Sequence, residues 1–144
     1  MIILGRLLAI DYGRKRVGIA VTDPMQLIAT GLCTIPANEI IAFLKNYLSK
    51  ESVDCIVVGL PKQMNNSDSE SMVYIKPFLK LLAKHFPETK VDAYDERFTS
   101  KIAQQAILDG GVKKMDRREK SLVDMVSATI ILQSYMQSKE LRKF

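Results

Sequence analysis

Two cysteines and a single histidine in 144 residues leave little room for thiolate or imidazole chemistry. Cys33 and Cys55 each sit alone in an apolar stretch. They read as buried thiols of a protein kept in a reducing cytoplasm, not as a disulfide or a metal pair. His85 adjoins Phe86-Pro87 at the end of a predicted helix, where a structural or solvated role suffices. No apolar run reaches the roughly 18 residues that a membrane helix needs, so no membrane partner is expected. The stretch from Met1 to Leu8 is too short for the apolar region and cleavage site of a secretory leader. Internal repeats, linkers and low-complexity tracts are also absent.

What remains is the composition of a globular chain, 47% hydrophobic and 26% charged. A chain of this length buries roughly 70% of its unfolded surface, enough for a core without staples. One domain over residues 1–138 is expected, with 139–144 as a short basic tail. The formal net charge of +5 favours a polyanionic partner. Its distribution is more informative. Arg14-Lys15-Arg16 form one cluster, and Lys113-Lys114 with Arg117-Arg118 form another. Both fall in predicted turns or helix starts, where phosphate contacts are commonly made.

Leu7 to Ile10 reads as a strand, Tyr12 to Lys15 as a turn, and Val17 to Thr22 as a second strand. So short a connection implies an antiparallel hairpin. A third strand, Ile28 to Ile35, ends at Pro36. Asn38 is placed to cap a helix running from about Glu39 to Lys50. Asp54 to Leu60 is almost wholly apolar, as in a strand buried on both faces. After a polar loop with capping-box spacing at Ser67 and Glu70, a helix carries Ile75, Phe78, Leu79, Leu82 and Phe86. Pro77 should kink it or delay its start. Val91 to Tyr94 is a short strand, and a helix from Thr99 or Ser100 ends at Gly110-Gly111. The last helix starts near Asp116 and Glu119 and runs to about Gln137. It is apolar almost all round, so it should be buried. The order predicts an α/β fold: a mixed five-stranded sheet with an antiparallel β1-β2-β3 meander, then β4 and β5, and helices on both faces.

Three carboxylates fall where such a fold can gather them. Asp11 ends the first strand, Asp95 or Glu96 ends the last, and Asp124 interrupts the final helix in a row with Ala128, Ile131 and Tyr135. Small residues at Ser127 and Ala128 would let that helix approach the sheet. Converging carboxylates repel and raise one another's pKa. Hard divalent cations such as Mg²⁺ or Mn²⁺ relieve this. Each acid also has a plainer reading: Asp11 as a turn former, Asp95 and Glu96 as surface partners of Arg97, Asp124 as an i, i+4 partner of Lys120. Asp95 and Glu96 are adjacent, so an extended backbone sends them to opposite faces. Glu96 shares its parity with the more polar set, Asp92 and Tyr94.

Four segments resemble the YqgF/RuvX family of ribonuclease H-like proteins: "AIDYGRKRVGIAVTD", "IVVGLPKQMN", "DERFTS" and "KSLVDMVSA". They stand in order from Ala9 to Ala128, nearly the whole chain. The resemblance implies a ribonuclease H-like fold, akin to that of Holliday-junction resolvases. It implies Asp11, Glu96 and Asp124 as catalytic, metal-binding acids for Mg²⁺ or Mn²⁺. Gly13, Arg16 and Gly18 would form the hairpin beside the site, with Arg97 and Lys120 as phosphate-facing cations. The basic residues Arg14, Lys15, Arg16, Lys113, Lys114, Arg117 and Arg118 complete the expected nucleic-acid surface. The implied activity is a hydrolase: a metal-dependent nuclease maturing the 5′ end of precursor 16S ribosomal RNA. The alternatives are junction resolution or non-catalytic nucleic-acid binding. The residues leave open RNA against DNA, contact with ribosomal precursor particles, and the oligomeric state. An actin-like ATPase or sugar kinase also opens with Asp-x-Gly in a hairpin, but it needs a second domain and phosphate loop that this length does not accommodate.

Overall fold

The computed structural model of the protein describes residues 5–60, 72–95 and 117–141, with only the helical backbone at 117–120 and 140–141. Five strands form one sheet: β1 (Arg6–Tyr12), β2 (Arg16–Thr22), β3 (Ala29–Pro36), β4 (Val53–Leu60) and β5 (Lys90–Asp95). The helices among the described residues are α1 (Ile40–Lys50), α2 (Met72–His85) and α3 (Arg117–Leu141). The strand order is β3-β2-β1-β4-β5. β1, β2 and β3 pair antiparallel, whereas β4 joins β1, and β5 joins β4, in parallel. This is the mixed sheet expected from the sequence. The sequence-expected helix from Thr99 or Ser100, and the Ser67/Glu70 capping box, lie outside the described residues.

Strand alternation divides the interior in two. Leu8, Ile10, Val17, Ile19, Ile56 and Val58 point to one face, where α1 and α2 cover them with Leu44, Ile75, Phe78 and Leu82. Leu7, Ala9, Ala20, Cys55 and Val57 point to the other, under Ala128, Ile131, Leu132 and Tyr135 of α3. The second layer uses smaller sheet residues, which brings the helix close. The two thiols belong to different layers: Cys55 is buried with the α3 layer, and Cys33 is half-buried against the α1–α2 layer. They are free, and no fold of this register pairs them.

Three local expectations need correcting. Asn38 does not cap α1. The chain enters through a 3₁₀ turn at Ala37–Glu39, and Ile40 N–H donates to the Ala37 carbonyl. The residue at the α1 N-cap is Glu39, without a side-chain bond. The tight turn satisfies the early donors, and Ala37 N–H is already used on the Lys15 carbonyl at 2.9 Å. Of the two expectations for Pro77, the late start fails, because α2 runs through it. Pro77 and Val73, four residues earlier, both face solvent, so the carbonyl that loses its partner is placed toward water. Finally, α3 is not buried all round. Ala128, Ile131, Leu132 and Tyr135 are buried, but Leu122 is 45% exposed and Gln133 and Gln137 face solvent. The helix covers the sheet with one stripe and continues past Gln137 to Leu141. No described helix is long and apolar enough to cross a membrane.

Candidate active site

Asp11 sits near the end of β1 on the α3 face, by alternation from Leu7 and Ala9. Its cross-strand partner on β2 is Gly18. A Cβ on Gly18 would overlap the backbone carbonyl of Asp124. The missing side chain is therefore the seat on which α3 rests. It puts the backbone of Asp124 against the sheet one strand away from Asp11. Two further contacts hold this part of α3: Thr34 Oγ1 donates to the Ser121 carbonyl at 2.6 Å, and Arg16 Nε donates to Asp124 Oδ2 at 2.7 Å. At its other end, Tyr135 Oη donates to Asp92 Oδ2 at 2.7 Å, and its ring meets Tyr94 edge-on at 5.9 Å between centroids. Tyr135 is 3% exposed. Burial, with the Asp92 carboxylate bonded to it, pushes its phenol well above the usual range.

The electrostatics at Asp11 are unfavourable to its charge. Burial pushes its carboxyl up from 3.8 to about 6, and the Asp124 charge adds to the shift. Among the described residues no cation pairs with Asp11, whereas Asp124 has Arg16. The two acids lie close enough to repel, on elements joined only by tertiary packing. Arg16 reaches Asp124 from the hairpin, and the Lys120 side chain expected as its i, i+4 partner lies outside the described residues. Arg16 was expected from sequence on the phosphate-binding surface. Its Nε donates to an acid 108 residues away in the chain. The side chain is still 41% exposed.

Arg14 and Lys15 are exposed at the β1–β2 turn, beside Asp11. Glu96, Arg97, Lys113 and Lys114 lie outside the described residues. Arg117, Arg118 and Lys120 lie on the described backbone of α3, their side chains outside it. On β5, Val91 packs with the α1–α2 layer and Tyr94 with the α3 layer. Asp92 and Tyr94 thus share the side of Asp11 and Asp124. Among the described residues no group of three His, Cys, Asp or Glu side chains is close enough to hold a metal. The chemistry of the Asp11–Asp124 pair nevertheless fits a hard divalent cation: oxygen donors only, mutual repulsion, and one acid without a counter-ion. Sequence reasoning missed the role of Gly18 and the Arg16–Asp124 pair. The only available signal was the glycine itself, set in an otherwise apolar strand.

This geometry makes Arg16→Ala informative. Removing the guanidinium leaves the Asp124 charge unneutralised beside Asp11. The Asp11 pKa should rise above about 6, while stability falls by only about 0.5–1 kcal/mol, as for a part-exposed ion pair. Carboxyl ¹³C shifts followed through a pH titration read the first effect, and thermal melting reads the second. An unmoved Asp11 titration would show that Arg16 does not shield the pair.

The sequence profile of the family described as "RuvX: Holliday junction resolvase" matches residues 5–138. A protein of Bacteroides fragilis named "Putative pre-16S rRNA nuclease" is 55% identical over 138 residues, covering 96% of this chain and all of its own length. A protein of the same name from Porphyromonas gingivalis is 54% identical over 137 residues, covering 95% of this chain and 99% of its own. Among solved structures, RuvC of T. thermophilus in complex with a Holliday junction substrate superposes with a TM-score of 0.55 at 14% identity, over 93% of this chain and 96% of that one. That likeness is one of fold, and it agrees with the ribonuclease H-like α/β architecture expected from the sequence. With the profile spanning the described sheet and α3 as far as residue 138, and with relatives more than half identical end to end, the chain belongs to the RuvX family.

Proposed function

We propose that this chain is a metal-dependent nuclease that hydrolyses phosphodiester bonds, with the 5′ end of precursor 16S ribosomal RNA as its substrate. The observation that carries the reading is the Asp11–Asp124 pair seated across Gly18, with Asp11 held up at about 6. The names of the relatives, more than half identical over nearly the whole chain, supply the substrate. Asp11 and Asp124, joined by Glu96, would hold Mg²⁺ or Mn²⁺. Divalent ions at such acids stabilise the charge on the attacking and leaving oxygens of an in-line displacement. Arg16 orients Asp124 by holding its Oδ2. Arg14 and Lys15 meet the phosphate backbone beside Asp11. Arg97, Lys113, Lys114, Arg117, Arg118 and Lys120 extend that surface.

A second reading is favoured by the description of the family and by the fold shared with RuvC: cleavage of a four-way DNA junction. Incubating the chain with a precursor 16S leader RNA and, separately, with a four-way junction, each with Mn²⁺ or with EDTA, separates the cases. Divalent-dependent cleavage of the RNA is expected. Cleavage of the junction alone would establish the second reading. Tight binding of either without cleavage would leave a non-catalytic binding factor. The basic surface has its own check. Replacing Lys113 and Lys114 with Ala should flatten the slope of log K against log salt by roughly one to two units. An unchanged slope would remove that segment from the interface.

A further inference from the structure

The β1–β2 turn meets α2 on the face of the sheet opposite Asp124. There Tyr12 stacks on Phe78, with centroids 4.1 Å apart and planes 12° from parallel. Four residues before Phe78, Tyr74 presents a part-exposed ring, and the guanidinium carbon of Arg14 lies over it at 5.8 Å from the centroid. The turn itself is fixed: Gly13 N–H donates to the Arg16 carbonyl at 2.9 Å, and Lys15 accepts from Ala37 N–H at 2.9 Å. Phe78 does the packing, at 1% exposure. Tyr74 is not among the residues described in that core cluster. An aromatic ring held on a helix thus stands under an exposed guanidinium, at the end of β1 that carries Asp11.

We propose that Tyr74 and Arg14 form a stacking subsite for an unpaired nucleobase, a few nucleotides along the strand from the phosphodiester at Asp11. The inference rests on the nuclease reading above and narrows it to substrates with a single-stranded segment. Base–aromatic stacking is stronger than an exposed cation–π contact. The arriving base therefore takes the ring, and the displaced guanidinium turns to a flanking phosphate. Bases inside a duplex are already stacked on their neighbours and do not enter.

The sequence contains no tryptophan, so Tyr74→Trp provides a single reporter at the subsite. In EDTA, where no cleavage occurs, its emission is expected to fall on saturation with a single-stranded RNA oligonucleotide and to hold steady with a blunt RNA duplex of equal length. Anisotropy of the end-labelled oligonucleotide supplies the affinities. Tyr74→Ala should weaken single-strand binding by about five- to a hundredfold, leave duplex binding within about twofold, and be rescued by Tyr74→Phe. Unquenched tryptophan in a complex that anisotropy shows to have formed overturns the subsite. So does an equal loss of single-strand and duplex binding in Tyr74→Ala. A wild-type chain that binds neither RNA removes the nuclease reading, and the subsite with it.

Discussion

Gly18→Ala is expected to be among the most damaging single-methyl changes in this protein. The added carbon would overlap the carbonyl of Asp124, a backbone atom of α3 that cannot rotate away. Overpacking usually costs 1–3 kcal/mol, and here the whole helix must shift, so a loss of about 3 kcal/mol is expected. In a domain of this size that lowers Tm by roughly 10 °C. The displaced Asp124 should also lose its place opposite Asp11, and a misplacement of about 1 Å costs on the order of a hundredfold in rate. Gly31→Ala is the control. Its Cβ would meet Met125 Cγ at 2.7 Å and Thr129 Oγ1 at 3.2 Å. Met125 is flexible and can turn aside, so the cost should stay near or below about 1 kcal/mol. Melting and cleavage measured for both variants decide it. Equal effects would mean that α3 is not seated on Gly18 in particular.

Asp11→Asn should abolish cleavage and at the same time stabilise the metal-free protein. The folded-state pKa of Asp11 is raised from 3.8 to about 6. Its protonated form therefore favours folding: that contribution is fully present below about pH 4 and is lost as pH rises through about 6. Above pH 6 the wild-type chain carries the full cost of a buried, repelled carboxylate, about 1–3 kcal/mol on the scale of 1.36 kcal/mol per unit. Asparagine keeps the shape and removes that cost. In EDTA the variant should melt higher than wild type at pH 7.5, and the gap should close toward pH 4. A gap that persists at pH 4 would place its cause elsewhere than the ionisation of Asp11. Full divalent-dependent cleavage by this variant would sink the assignment of Asp11 to the metal site.

The framework of this fold was legible because it is written in local patterns. Short apolar runs identify β1 and β2, a turn too short for a crossover makes them antiparallel, and the continuous apolar run at 54–60 marks a central parallel strand. The row of Asp124, Ala128, Ile131 and Tyr135 follows from helical spacing alone, and the last three are buried on the sheet as expected. What was not legible depends on elements meeting across the sheet. Arg16 looks like one more cation in a basic turn until β2 and α3 are assembled. Gly18 looks like a permissive residue until the carbonyl above it is placed. The one-sided burial of α3 was misjudged because an apolar sequence states how much surface a helix offers, and not how much its neighbours cover. Asn38 had the chemistry of a cap, but the chain approached the helix by a tighter turn that required none.

In β1, neighbouring residues serve different ends. Asp11 turns to the α3 side, while Tyr12 turns the other way and stacks on Phe78. This bears on which genetic changes the coding sequence can absorb. A point substitution in the strand alters one layer only. Gain or loss of a single codon reverses the facing of every residue beyond it. Either change would drive Asp11 into the aliphatic layer beneath α2; a loss would bring the phenol of Tyr12 to the place of the acid, and a gain would bring Ile10 there. Two consecutive positions thus tie the frame of the strand to both folding and chemistry, so length variation in this lineage has to be accommodated outside β1.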